Sequence, residues 1–598
     1  MADEPHVIRG INWREAFPFT NIFRAFRIAI HPSKLVLALL ALLVLYFGGR
    51  VLDGLWMNRY KAVPGEIAIY ERSRTSEQFF NDRNAIRETA ADRYTRGLQV
   101  LATKKTEEKF KHLNDPVAAR RDAGEGKWTN HVRYAVGLER LADIDAAEKE
   151  YEKEHARIIA LPQTNDDQKR AVQEQEQAAL ARRDAAIAQA RTEARAKLDI
   201  VETVEGKGLF LAFFQYQTQK IDNIVRGVLS GNWLGGLDQW MRKSADAAEA
   251  DGVIVSAIKF FTVAPAWALR HHPIYFLLFG ALFLVVWSLF GGAIARIAAV
   301  HVADEGRKLS VRQGLSFAVS KFLSFISAPM IPLIIVLGIG LIVAVVAGIA
   351  LLIPWLGEIV VGALFFLALA AGFVMTLVLI GTAGGFNLMY PTIAVEGSDS
   401  FDAISRSFSY VYAKPWRMLF YSALAIAYGA ITYLFVRLFI YLTLLLTWFF
   451  VGLFVWRQTP DHQNLWHALM PHPSFASLPY EVDSLSLNPA GSLAAFLIEF
   501  WNYLAISMLG AFAISFYFSV NTIIYYLMRR EVDATEMDDV YLEQPDEEFT
   551  ETPVAPSVST APTPAPAPSA PAAASEATSG STETPGPEKT YEKPPPET

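Results

Sequence analysis

Five stretches of this chain stay apolar for longer than the core of a water-soluble domain needs: 273–297, 326–352, 359–383, 416–456 and 493–528. A hydrocarbon layer ~30 Å thick takes about 20 residues at ~1.5 Å each, so runs of about 18 or more read as membrane-crossing helices. A sixth, Leu35 to Phe47, extends to a first span over about 35–57. The 598 residues are 52% hydrophobic, with a mean hydropathy of +0.22. The spans supply that excess. The net charge of -7 averages three unlike regions and predicts no partner. With no Cys, a disulfide framework, a thiolate nucleophile and a Cys-based zinc site are all excluded.

The distribution of basic residues sets the expected topology. They collect at Arg9, Arg14, Arg24, Arg27 and Lys34, at Arg307, Lys308, Arg312 and Lys321, at Arg406, Lys414 and Arg417, and at Arg529-Arg530. The short loops 353–358 and 457–492 carry only Arg457. Basic loops stay on the cytoplasmic side. The pattern therefore predicts six spans and two cytoplasmic termini, with an uncleaved anchor at 35–57, in the inner membrane of a bacterium. The 41-residue run 416–456 is expected as one long helix or one span with a membrane-hugging continuation. No Gly or Pro lies near Arg437 to turn it, and a second crossing would put Arg529-Arg530 on the wrong side.

Two similar units organise the core. Gly384-Gly385 closes one span, Glu396-Gly397 follows, Asp402 to Tyr412 is amphipathic, and Lys414-Pro415 opens the next span. Earlier, Gly291-Gly292, Glu305-Gly306, an amphipathic Ser310 to Phe325 and Ala328-Pro329 repeat that order weakly. The expected fold is all-α: a polytopic helical membrane protein, with residues 273–530 as membrane core and a weak repeat of 273–352 in 359–456.

Residues 58–272 form an extracytoplasmic helical domain in this reading. Tyr134, Leu138, Leu141, Ile144, Ala147, Tyr151 and Ile158 recur at helical spacing, and Leu180, Ile187, Ala194 and Val201 lie seven apart. That pattern predicts two helices packed on a coiled-coil seam. The aromatic-rich stretch 209–270 is expected at the membrane interface or over exposed apolar surface of the bundle. Residues 1–34 read as a basic amphipathic segment, with Trp13, Phe17, Phe19, Phe23, Phe26 and Ile30 among the charges. Residues 531–598 start acidic and turn Pro/Ala-rich, a composition too polar to offset the entropy of ordering, so a disordered cytoplasmic tail is expected.

Candidate chemistry is sparse. Arg437 and Glu499 are charges within apolar runs and form a candidate ion pair. Asp461, His462, His467 and His472 could reach a metal only if an irregular Pro-rich loop brought them together, and no metal or cofactor is expected. Gly384, Gly385, Asn387, Ser405 and Arg406 are candidate ligand-binding residues, set against local packing by small residues and an Asp402–Arg406 pair four apart. No phosphate loop, nucleophile elbow or dinucleotide fingerprint occurs, and Gly206-Lys207-Gly208 is too short to cradle phosphate.

The run Pro391-Thr392-Ile393-Ala394-Val395-Glu396-Gly397, then Ala403 to Phe408 and the basic-aromatic re-entry from Lys414 to Arg417, resembles a pattern in bacterial multi-span proteins of uncharacterised function. It is similar to the membrane domain attached to some glycerophosphodiester phosphodiesterases, over about 270–460. The resemblance implies an integral membrane module. No phosphodiesterase barrel is present, so no activity carries over.

These features predict a non-enzymatic scaffold or envelope-organising protein. It would contact membrane lipids, meet protein partners through 58–252 and the tail, and bind no nucleic acid. The alternative is a lipid or small-solute carrier with a cavity between the two units. A hydrolase using the outer His loop is a third reading.

Overall fold

The computed structural model describes residues 17–57, 60–104, 108–162, 165–237, 251–304, 307, 309–459, 463–482 and 487–541. Trp13, Arg9, Arg14, Trp240, Glu305, Gly306, Lys308, Asp461, His462 and residues 542–598 of the expected disordered tail lie outside them; residues 531–541 of that tail are instead packed, with Glu531 paired to Arg417 and Tyr541 bonded to Val395. The regular structure of the described residues is helical throughout.

Seven helices among the described residues are long and apolar enough to cross a membrane, so the chain is built as a multi-pass membrane protein. The first, α1 (Pro32–Leu55), opens on a proline, which needs no N–H partner at that position. A helical domain follows, containing α2 (Ser76–Lys104), α3 (Thr129–Ile159) and α4 (Asp166–Glu205). Next come α5 (Leu209–Ser230), α6 (Val253–His271) and α7 (Pro273–Ala303). The remainder is α8 (Val311–Ser320), α9 (Phe322–Leu351), α10 (Leu356–Glu396), α11 (Ser400–Ala413), α12 (Pro415–Gly452) and α13 (Pro489–Asp533). The order of span, short amphipathic helix and span thus occurs twice, as α7–α8–α9 and α10–α11–α12. Each short helix starts on a side-chain cap: Ser310 accepts from the Gln313 N–H, and Asp399 from the Asp402 N–H.

One helix beyond the six expected spans, α6, is also long and apolar enough to cross a membrane. It is antiparallel to α5: Gln217 Nε2 donates to Phe260 O at 3.1 Å, and Gly227 abuts Val253. The pair departs from the far end of α1 and returns to the start of α7. Asp53, near the end of α1, accepts from the Phe210 and Leu211 N–H groups at 2.9 and 3.1 Å, and from Tyr275 Oη at 2.7 Å. The carboxylate thereby caps α5. A Cβ at Gly208 would lie 2.1 Å from Asp53 Oδ2, so only glycine allows the approach.

The central element is α13. It packs against α1, α7, α10 and α12, and supplies Ile523 to Met528 to the largest apolar cluster. The run 416–456 is one helix, α12, of 38 residues beside an α13 of 45. At ~1.5 Å per residue α12 approaches, and α13 exceeds, twice the ~30 Å hydrocarbon thickness. Their far halves are held together by Ile440, Leu444 and Leu509 with Trp466, Met470 and Leu478 of the connecting loop.

At the near end of α13, here called the base, polar groups are enclosed. Glu396 pairs with Arg406 at 3.0 Å and Arg529 at 3.2 Å, and accepts from Tyr525 Oη. Arg296 donates to Ala394 O and Tyr541 O, while the Tyr541 N–H bonds Val395 O at 2.8 Å. The chain after α13 therefore returns to the ends of α7 and α10. Gly397, at φ 64°, takes the left-handed conformation beneath the Tyr541 ring.

In the helical domain, α3 and α4 pack as an antiparallel pair. Ile144 meets Ile187 and Ala190, and Ile158 meets Val172 and Ala179. Of the residues expected on that seam, Ile144, Ile158, Ile187, Ala194 and Val201 are buried, the last two in a cluster shared with α2. Near the root of α3 it is rotated: Val132 and Val136 are buried, whereas Tyr134, Leu138 and Leu141 are 62, 49 and 39% exposed. The helix chooses the face that meets α2, Phe110 and Leu113, an environment that periodicity along α3 alone does not contain.

Candidate functional site

A groove lies against α12 and α13, walled on the third side by α5. It encloses ≈ 380 Å³. Its lining runs from Ile221 to Val228 on α5, Ser422 to Leu434 on α12 and Phe512 to Ile524 on α13, with Asn387 from α10. Ser422 to Leu434 on α12 and Phe512 to Ile524 on α13 each span it with about twelve helical rises of ~1.5 Å, so it is ~18 Å long. Gly429 lets the two long helices close behind it: a Cβ there would lie 2.8 Å from Phe516.

The lining is apolar except for Ser422, Tyr433, Asn387, Tyr517 and Asn521, and none of it is charged. The last three form a notch. Tyr517 Oη donates to Asn387 Oδ1 at 2.6 Å, and Asn521 Nδ2 donates to Tyr517 O at 2.8 Å. Those bonds leave one amide N–H pair on Asn387 and one carbonyl on Asn521 directed to no group among the described residues.

The α5 wall is held by a buried ion pair. Arg437 Nη2 donates to Asp222 Oδ1 at 2.8 Å, Arg437 Nε donates to Phe475 O at 2.9 Å, and Ser477 Oγ donates to Asp222 Oδ2 at 3.0 Å. Both charged side chains are buried, at 2% and 7% exposure. This corrects the expected pairing: Arg437 pairs with Asp222, not Glu499, which is half-buried on α13. Sequence order hid the partner, since Asp222 lies 215 positions away in a stretch read as interfacial.

A second set of charges ties α5 and α6 to the helical domain. Lys220 and Lys259 each reach both Glu71 and Asp251, at 2.5–3.4 Å. Burial alone would raise the Glu71 carboxyl; the lysine charges outweigh it and hold that group below its usual range.

Only one of the five expected ligand-binding residues reaches the groove. Asn387 does. Gly384 packs on Val411 and Gly385 on Ser407 of α11, the role small residues play in close helix contacts. Ser405 is exposed, and Arg406 is committed to Glu396 and Asp402. The groove therefore lies between α5, α12 and α13 instead of between the two units. His467 stacks on Trp448 at 5.1 Å and His472 meets the same ring at 4.6 Å. The described residues contain no group of three side chains placed to hold a metal ion.

Comparison with known proteins finds no family model, no curated protein and no solved structure that matches this chain.

Proposed function

We propose that this protein is a non-enzymatic membrane scaffold that joins partners on the two sides of a bacterial inner membrane. The supporting observation is the exposed apolar stripe Tyr134, Leu138 and Leu141 on α3, turned outward where Val132 and Val136 pack on α2, Phe110 and Leu113. Residues four and three apart on one helix face make a continuous strip. A stripe of this kind on a self-packed helical pair is the surface a partner helix docks on. In this reading α3 and α4 are a coiled-coil-like arm outside the cytoplasm, ~47 and ~60 Å long for 31 and 40 residues. Both termini are cytoplasmic in this reading, with α6 folded back on α5 and not a separate crossing, and the tail engages the inner partners.

The test is site-specific photo-crosslinking in cells. A crosslinker at Tyr134 or Leu138 gives discrete protein adducts of the full chain, and one at Glu150 gives far fewer. Adducts with lipid alone at all three positions would overturn the scaffold reading.

A further inference from the structure

We infer that the groove between α5, α12 and α13 binds a single hydrocarbon chain headed by an uncharged hydroxyl, as in a long-chain alcohol. This goes beyond the scaffold reading and does not depend on it.

Shape and position come first. The groove is ~18 Å long and parallels two helices that cross the membrane. That length is close to the ~15 Å that one extended lipid chain spans in a leaflet, so one chain fills it. The walls from Phe512 to Phe516 and from Gly429 to Leu434 offer that chain only apolar and aromatic contact.

The notch of Asn387, Tyr517 and Asn521 fixes the class of head group. It lies toward the base: Asn521 is 12 residues before Asp533, and Asn387 nine before Glu396. The unused amide N–H groups of Asn387 donate, and the unused carbonyl of Asn521 accepts. A hydroxyl does both at once, accepting from the first and donating to the second. An anionic head would find no counter-charge, because the lining holds no cation and Arg529 and Arg406 are already committed to Glu396. Leaving a charge unpaired there costs far more than one hydrogen bond returns. Recognition by polar groups that go unpaired without their ligand is the stronger kind of discrimination.

The experiment uses the full chain in phosphatidylcholine vesicles. Three photoreactive probes carry a diazirine in the hydrocarbon chain: a long-chain alcohol, a diacylglycerol and a fatty acid. Labelled peptides are mapped by mass spectrometry. Peptides spanning 422–434 and 512–524 should be labelled by the alcohol and more weakly by the fatty acid. The diacylglycerol should not label them; labelling by it as strong as by the alcohol would overturn the single-chain assignment.

Two sets of variants read the two parts of the site. The pair Ala430→Leu and Ala513→Leu fills the groove with apolar atoms, and labelling there should be lost while that of the lipid-facing residues of α9 and α10 is unchanged. Asn387→Leu should remove the preference for the alcohol over the fatty acid without emptying the groove, and it serves if the filled variant does not fold. Equal labelling by alcohol and fatty acid in the native chain would overturn the inference, as would labelling that the leucine pair leaves intact.

Discussion

At the scale of single residues, the buried pair Arg437–Asp222 carries the sharpest prediction. Removing one partner leaves an unpaired charge in a dry site, at a cost of about 3–5 kcal/mol. Asp222→Ala should lower the detergent-solubilised melting temperature, and replacing both residues with apolar ones of similar size should recover most of the loss. If the double replacement is no better than the single one, the pair is not what holds α5. In the helical domain, Asp122 accepts from Trp128 Nε1 and contacts His112 Nε2, both at 2.9 Å. Burial pushes this carboxyl up, but the His112 and Trp128 bonds and the Lys127 charge outweigh it and hold it below the usual range. Its folded-state value is depressed, so its contribution is present above the unfolded value near ~3.9 and is lost as pH falls through the folded one. Asp122→Asn should flatten that acid limb in a thermal melt followed from pH 6 downward.

At the scale of elements, the α3–α4 seam and the exposed stripe make opposite predictions. Ile187→Ala opens a hole between the helices and should cost about 2–4 kcal/mol. Leu138→Ala should change the stability by no more than about 0.5 kcal/mol, as surface changes do. Stability loss at Leu138 equal to that at Ile187 would mean that α3 buries the other face. The same element shows what was legible in the chain. The existence of six long helices follows from their apolar runs, although α10 runs on to Glu396, past the Gly384-Gly385 pair expected to close it; Ile187, Ala194 and Val201 keep their seven-residue register as buried positions. Tyr134, Leu138 and Leu141 have equally good spacing but face outward, because periodicity names a stripe without naming the neighbour that covers it. The groove was out of reach for a similar reason. Asn387 carried a local signal beside its Gly pair, whereas Tyr517, Asn521 and Asp222 are set against it and Arg437 by tertiary packing alone. The α5–α6 pair was masked by its charges. Lys220, Asp222 and Lys259 look like interfacial polarity in sequence and prove to be paired and largely enclosed.

At the scale of the whole molecule, the absence of Cys gives a clean background for labelling. Single substitutions Glu150→Cys and Lys414→Cys, both at exposed positions, should react with a membrane-impermeant maleimide from opposite sides of sealed vesicles. Reaction of both from one side would exclude the arrangement with α3 outside and the base inside. The seven apolar helices are also unequal in their surroundings. α13 is enclosed by four of its neighbours, while α9 and the first part of α10, Leu356 to Ile380, pair with one another over faces that are otherwise exposed.

The return of the chain to Val395 after α13 bears on how force enters this molecule. A pull applied downstream of Tyr541 meets the backbone bond to Val395 and the Arg296 guanidinium before it reaches the last turn of α13. The anchorage thus behaves as a strain relief, like the knot in a cable behind its plug. Tension from that direction is delivered to the junction of α7 and α10, and the mast at the centre of the bundle is spared.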